Sequence, residues 1–252
     1  MENKQSLVIL TCAILIGTIA GSFIIGNSLE NFHKGDRYVT VKGFAEREVK
    51  ADLALWSIGV RAASNDLSEA NHSIESQKEK VIQFLTKNGF DAIEITQQEV
   101  RVSDKQAREY GGDVKDLLRY VVEATILLRT KNVDKAEEVS RKTDELVRAG
   151  VIFSAKNEWQ GQGPKFIFTQ LNSIKPEMMA EATRNSKAAA VQFGQESGST
   201  LGTIRRASQG LFSIEDRDSF TAGQAGGMAY ATGSSDLFKR VRVVVTVDYY
   251  LN

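Results

Sequence analysis

The chain has 252 residues and a mass of 27.8 kDa, enough for one large domain or two small ones. Its 32 Lys and Arg balance 32 Asp and Glu, and this zero formal charge argues against nucleic acid as a partner, because such binding depends on a basic excess. A single cysteine excludes an internal disulfide framework and a cysteine-based zinc cluster. Two histidines leave little material for a histidine-rich metal site or a catalytic triad.

Residues 7–26 form an apolar segment, LVILTCAILIGTIAGSFIIG, whose 20 residues include no charged side chain. A helix needs about 20 such residues to cross the hydrocarbon core of a bilayer. A core helix of a soluble domain would more often show a polar face, and this segment shows none. We therefore predict that residues 1–26 are a transmembrane signal anchor or a signal peptide, so that the membrane is a partner of the N-terminal helix.

Two interpretations of this segment stay open. The apolar run is longer than the roughly 7–15 residues of a signal-peptide core, which favours an uncleaved anchor. The small residues Ala20, Gly21 and Ser22 have the spacing that a signal peptidase recognises, which favours cleavage, although Phe23 continues the apolar run beyond them. Both interpretations place the chain beyond a polar linker at 27–36 outside the cytoplasm. We expect a single-pass protein of the cell membrane, periplasmic where the host has two membranes.

Gly17 and Gly21 lie four residues apart within the apolar segment. Small residues at this spacing allow two helices to approach closely in lipid. These two glycines are therefore the predicted contact between membrane helices.

Hydrophobic periodicity predicts alternating strands and helices beyond the linker. The first helix has Asp66 as its N-cap with Glu69 three residues later, which resembles a capping box, and Gly89 is a suitable stop. Asn132 caps the second helix, and Pro176 suits the first turn of the third. The predicted helices span 66–88, 132–149 and 175–196, and the predicted strands span 37–44, 53–62, 93–102, 118–129, 151–159, 165–171, 201–208 and 240–251.

The order strand–strand–helix–strand–strand occurs twice, over 37–129 and 151–252, and the helix at 132–149 joins the two units. Alternating apolar and polar side chains along the strands indicate antiparallel sheets with one open face. The predicted fold class is α+β, in which an N-terminal transmembrane helix precedes two β-β-α-β-β units whose antiparallel sheets are covered by helices on one face. Whether the units form two sheets or one continuous sheet stays open.

Two long polar segments, 103–117 and 211–236, fit none of these elements, and loops of such length are usually functional or disordered. The acidic run 215–218 lacks the spacing of a calcium loop, and the glycine-rich run 223–227 is not followed by the Lys-Ser/Thr of a phosphate loop. No serine lies in a GxSxG elbow. We therefore predict no catalytic residue, no cofactor and no metal ligand, and we expect a protein that is not an enzyme.

The last strand carries valines on one face and polar side chains on the other. If this strand lies at the edge of a sheet, it is a natural place to pair with another subunit. The predicted subunit or partner contacts on its polar face are Arg240, Arg242, Asp248 and Tyr250. The alternative is a solvated open face.

Three segments resemble the SIMPL-domain family. The first, VTVKGFAEREVKADLALWSIGV at 39–60, contains Val41-Lys42-Gly43 and Asp52. The second, EATRNSKAAAVQFGQESGSTLGTIRRASQG at 181–210, is an Ala-rich helix that ends in glycine-rich residues before a strand. The third is the closing strand VRVVVTVDYYL at 241–251. The resemblance covers residues 37–252 and identifies this region as a SIMPL-like domain.

The resemblance implies a protein of the cell envelope. Bacterial members look like periplasmic or membrane-anchored proteins that are often linked to oxidative-stress defence, and some form oligomeric rings; an animal member is named for its association with a signalling kinase. The family has no agreed catalytic activity, so no catalytic residue is carried over. We expect a membrane-anchored, extracytoplasmic homo-oligomer with a role in envelope maintenance or stress tolerance. The alternative is a module that binds a ligand or partner on the open sheet face or in the 211–236 loop.

Overall fold

The computed structural model describes Thr18, Ser22 and residues 37–107, 118–154, 163–218 and 235–252. Thr18 and Ser22 are helical, and the Ser22 hydroxyl donates a hydrogen bond to the Thr18 carbonyl at 2.8 Å. The predicted contact residues Gly17 and Gly21 and the linker at 27–36 lie outside the described residues. Within these ranges, no helix is long and apolar enough to cross a membrane.

The elements follow the α+β pattern that the sequence predicts. The strands are β1 (Tyr38–Lys50), β2 (Leu53–Ser64), β3 (Ile95–Gln97), β4 (Arg101–Asp104), β5 (Tyr120–Thr130), β6 (Lys165–Ile167), β7 (Leu201–Gln209), β8 (Ser213–Asp216) and β9 (Phe238–Leu251). The helices are α1 (Leu67–Lys87), α2 (Val133–Ser140), α3 (Asp144–Arg148) and α4 (Leu171–Glu196), with a 3₁₀ turn at Ala92–Glu94.

The strands form two sheets, which answers the question that the sequence left open. The first sheet has the order β1-β9-β7, with β8 also paired to β9. The second has the order β3-β5-β2-β6, with β4 also paired to β5. As predicted, β2 pairs antiparallel with β5 and β6, β3 and β4 pair antiparallel with β5, and β7 pairs antiparallel with β9. The pairing of β2 with β5 runs from Ala54↔Thr130 to Ser64↔Tyr120.

The chain divides into two compact units. The terminal unit comprises Met1–Ala45, Pro176–Phe212 and Arg242–Asn252, and the central unit comprises Glu46–Lys175 and Ser213–Val241. Each unit therefore takes residues from both of the sequence halves 37–129 and 151–252.

The core of the central unit lies between the second sheet and α1. Trp56, which is 1% exposed, lies on the inward face of β2 as predicted. Opposite it, β5 contributes Val122, Ala124, Ile126 and Leu128, and α1 contributes Ile74, Val81 and Leu85. Fully burying an aliphatic side chain contributes about 1.5–3 kcal/mol. This burial is the main favourable contribution to the stability of the unit, because the sheet needs a second layer to cover its apolar face.

In the terminal unit, α4 buries a stripe only one residue wide. The buried positions are Met178, Ala182, Ser186, Ala190 and Gly194. Most of these residues are small, and they follow a spacing of four along the helix. Phe193, one residue before Gly194, lies beside the stripe and is 61% exposed.

At the start of α1, the predicted N-cap Asp66 is confirmed, but the predicted capping box with Glu69 does not form. The Asp66 carboxylate accepts hydrogen bonds from the backbone N–H groups of Ser68 (2.7 Å) and Glu69 (3.0 Å). The Glu69 carboxylate does not return to the Asp66 N–H, as a capping box requires. It accepts instead from the Ser64 hydroxyl at 2.6 Å, and Ser64 in turn accepts from the Asp66 N–H at 3.1 Å.

Several predicted boundaries are wrong for local reasons. The helix expected at 132–149 is two helices, because the N–H groups of Arg141 and Lys142 bond to carbonyls three residues back and tighten the last turn of α2. Helix α4 begins at Leu171, so Pro176 lies in its second turn. The strand expected at 93–102 is divided between the 3₁₀ turn, β3 and β4, and the segment 211–236 contains β8. Of the strand expected at 151–159, the described residues show a single bridge from Phe153 to Val60.

Candidate functional site

The four candidate residues on β9 alternate with its buried residues as predicted. Lys239, Val241, Val243, Val245, Val247 and Tyr249 are buried, and the residues between them are partly or fully exposed. The sequence left open whether this strand lies at an edge; the structure places β9 between β1 and β7. An interior strand pairs its backbone on both sides, so β9 offers no free edge to another subunit.

Neighbours within their own unit engage the candidate side chains. In the central unit, Arg240 Nε lies 3.0 Å from Glu46 Oε1, and Arg240 Nη2 donates to the Arg217 carbonyl at 3.0 Å. In the terminal unit, the Arg242 guanidinium lies 5.3 Å from the centre of the Phe44 ring.

Asp248 and Tyr250 complete the set in the terminal unit. Asp248 Oδ1 accepts from the Thr40 hydroxyl at 2.7 Å, and Tyr250 is half-buried. The four residues are thus spread along one strand rather than gathered in a cluster. Their role as partner contacts stays a prediction.

Strand β7 is the more exposed part of the first sheet. Seven of its nine residues, from Thr203 to Gln209, are exposed, although successive side chains of a strand point to opposite faces. Ile204 is 51% exposed. Among the described strands, β7 pairs only with β9. Its second edge is therefore unpaired among the described strands, and both of its faces carry exposed side chains.

The register shows which backbone groups line that edge. Gly210 N–H donates to the Val244 carbonyl at 2.8 Å, directly beyond the pair Gln209↔Val245. In an antiparallel pair, hydrogen-bonded and non-hydrogen-bonded positions alternate. The N–H groups of Ala207 and Gln209 therefore point away from β9, toward the free edge.

A hollow of about 530 Å³ lies on the second sheet, on the face away from α1. Its floor is Gly59 of β2, which pairs with Thr125 of β5. On one side, Ser154 donates its N–H to the Gly59 carbonyl at 2.9 Å and its hydroxyl to Glu123 Oε1 at 3.2 Å. On the other side, the chain between β3 and β4 supplies Gln98, Glu99 and Arg101.

The hollow carries charges of both signs. Arg101 and Glu123 are directly opposite in the register of β4 and β5. Arg101, the first residue of β4, shares the face of Glu123, whereas Val100 before it packs against the core. Glu99 lies in the connection between β3 and β4, where the pairing with β5 shifts by one residue, and it also lines the hollow. In the part of the chain that the structure describes, Glu99 and Arg101 make no hydrogen bond or ion pair through their side chains. The sequence alone does not single out these residues, because charged side chains look the same in a sequence whether they line a hollow or a flat surface.

A buried ion pair lies at the C-terminal end of the central unit. Lys239 is 2% exposed and bonds to Asp216 at the end of β8. The other Asp216 oxygen accepts from the backbone N–H groups of Ser235 (3.0 Å) and Asp236 (3.4 Å). This carboxylate therefore ties the end of β8 to the residues just before β9.

A second ion pair joins the ends of the segment between β4 and β5. Arg119 Nη2 lies 3.0 Å from Asp104 Oδ2, and the Arg119 carbonyl accepts from the Lys105 N–H at 2.8 Å. Hydrogen bonding by Arg119 holds the pKa of the Asp104 carboxyl below its usual range. Each long polar segment is therefore bridged by an aspartate–cation pair, Asp104–Arg119 for the first and Asp216–Lys239 for the second.

Asp52 fixes the segment that follows β6. Its carboxylate accepts from the Thr169 N–H at 2.7 Å and from the Thr169 hydroxyl at 2.6 Å. Partial burial acts to raise the pKa of Asp52, but the hydrogen bonds from Thr169 outweigh it and hold the pKa below its ordinary value. The Asp52 of the motif at 39–60 thus has a structural role at the turn between β1 and β2.

Gly43 of the same motif lies against α4. A side-chain carbon at this position would be 2.1 Å from the Ala182 carbonyl oxygen and 2.4 Å from the Ser186 nitrogen. Only glycine therefore allows the helix backbone to approach β1 so closely. The two segments, 39–60 and 181–210, are in contact here.

No group of three or more His, Cys, Asp or Glu side chains is placed to hold a metal ion in the described ranges. No curated protein matches the chain. The family model SIMPL, described as a protein of unknown function (DUF541), matches residues 39–249, which include both units of the fold. Because this match covers most of the 252 residues, the chain belongs to the SIMPL family.

Proposed function

We propose that the protein is a non-enzymatic SIMPL-domain protein that self-assembles outside the cytoplasm and is held at the membrane by residues 7–26. The apolar segment supports the anchor, and the family, whose molecular function is unknown, brings no activity. The role is envelope maintenance or stress tolerance, which follows from the resemblance to envelope proteins.

The observation that carries self-assembly is the exposed strand β7. Ordering a residue of backbone costs about 1–2 kcal/mol. Among the described strands, β7 offsets this cost through hydrogen bonds to β9, while most of its residues stay exposed to water. A second strand at the free edge would supply both hydrogen bonds and burial, since an uncapped edge is a template for another strand.

The sequence of the edge favours a second copy of this chain as the occupant. Arg206 gives β7 a positive charge, and β1, which is the other edge of the same sheet, carries Glu48. Pairing β7 of one copy with β1 of the next would bring these charges together. Such a head-to-tail contact closes into a ring when the rotation between copies allows it.

The test is the absolute mass of the full chain in a mild detergent, measured by light scattering across a concentration series. We expect multiples of the 27.8 kDa subunit. The variant Ala207→Pro removes an N–H that faces the free edge, and it should shift the distribution toward the monomer. Ala207→Val at the same position keeps the N–H and should leave the mass unchanged. A monomeric wild-type chain at every concentration would refute the proposal, as would assembly of the proline variant at the wild-type level.

A further inference from the structure

We infer that the hollow on the second sheet binds a small zwitterion of amino-acid size. This inference concerns the central unit and does not depend on self-assembly through β7. The hollow has a volume of about 530 Å³, within the roughly 300–1,000 Å³ that is typical of small-molecule sites. The size therefore suits a small metabolite better than a folded partner.

Gly59 of β2 forms the floor of the hollow. Position 59 points away from the core, between Ser57 and Arg61 on the same face of β2, and glycine leaves it without a side chain. Across the gap the Ser154 hydroxyl reaches Glu123 on β5. This hydrogen bond fixes the carboxylate at the wall of the hollow, so that one polar group is already oriented.

The charges define the class of ligand. Arg101 offers a guanidinium that can bind a carboxylate through two parallel hydrogen bonds. Glu99 and Glu123 offer carboxylates that can accept hydrogen bonds from an ammonium group. A purely anionic ligand would meet two carboxylates, and a purely cationic ligand would meet the arginine. A ligand that carries both charges satisfies all three side chains.

Neutral groups complete the lining and set the ligand's size. Thr125 and Gln98 add a hydroxyl and an amide beside the charged groups. The Gln98 N–H is already used by the Thr125 carbonyl at 2.9 Å, which holds this part of the chain in place. Glu99 and Arg101 both line the hollow, so a free α-amino acid can present its ammonium group to one and its carboxylate to the other.

The test uses the full chain in detergent and isothermal titration calorimetry with a panel of free α-amino acids. We expect at least one to bind. Its N-acetyl derivative, which lacks the ammonium, and its carboxamide, which lacks the carboxylate, should bind about tenfold more weakly or worse, because each loses a charged hydrogen-bond partner.

Variants locate the binding site. Arg101→Gln and Glu99→Gln should each weaken binding by about tenfold. Arg129→Gln changes an exposed arginine on the same face of β5, outside the hollow, and should leave the affinity unchanged. Thermal unfolding of each variant at the wild-type temperature shows that the fold is intact. Absence of heat with every amino acid would overturn the inference, and so would equal binding of both blocked derivatives or an equal loss in Arg129→Gln.

Discussion

Three aspartates of this protein secure segments that are distant in sequence. Asp52, Asp104 and Asp216 each join two such segments through hydrogen bonds or ion pairs. The pair of Asp216 with the buried Lys239 illustrates the energetic consequence, because a buried charge that loses its partner typically costs about 3–5 kcal/mol. The aspartates are therefore constraints on loop geometry.

The pH dependence of stability should reveal the role of Asp52. A carboxyl whose pKa is lowered by folding stabilises the protein above its unfolded pKa of about 3.9, and this contribution is lost as the pH falls through the lower folded value. Asp52→Asn removes the charge, so it should lower the free energy of unfolding at neutral pH by about 1 kcal/mol, since the site is partly solvated.

Urea denaturation of both proteins from neutral pH to below pH 3.9 tests this expectation. The difference between wild type and Asp52→Asn should shrink as the pH falls, because the wild type loses the same interaction by protonation. Glu79→Gln, at an exposed position on α1, should differ from the wild type by little at any pH. A difference for Asp52→Asn that stays constant across the series would contradict the assignment.

At the scale of elements, the sequence specified types better than boundaries. Period-two alternation correctly predicted β2, β5 and β9, because one face of each meets a different environment from the other. It could not place β9 inside its sheet, since strand order depends on contacts between residues far apart in sequence. The hollow could not be predicted from the sequence either, because Gly59, Glu99 and Ser154 come together only after the strands are paired.

The contact between α4 and β1 depends on glycine at position 43. Gly43→Ala places a carbon within 2.4 Å of two backbone atoms of the helix, so the helix must move away. Overpacking of this kind costs typically 1–3 kcal/mol, and we expect about 3 kcal/mol because backbone cannot rotate aside as a side chain can. The free energy of unfolding from urea titration measures the effect.

Gly163→Ala is the matched control, because a carbon added there meets nothing within 4 Å. It should change the stability by less than about 0.5 kcal/mol. If Gly43→Ala were as stable as this control, the close approach of α4 to β1 would not exist in solution.

At the scale of the whole molecule, the two units differ in how much of their strand surface is buried. The central unit buries a core between a five-stranded sheet and α1, whereas the terminal unit buries one narrow helix stripe and leaves β7 uncovered. A strand with so little burial gains most from association. The stability of the protein should therefore depend on its own concentration.

Thermal unfolding measured at increasing concentrations of the full chain tests this dependence. Association that occurs only in the folded state stabilises it by RT ln(1 + [L]/Kd), about 2.7 kcal/mol when the partner is at a hundredfold excess over Kd. The Tm of the wild type and of Ala207→Val should therefore rise with concentration, by a few degrees for each kcal/mol gained in a chain of this size. The Tm of Ala207→Pro should stay constant, because its edge lacks the hydrogen-bond donor. A Tm that is independent of concentration for all three proteins would show that β7 is stable without a partner, and the terminal unit would then need no second copy.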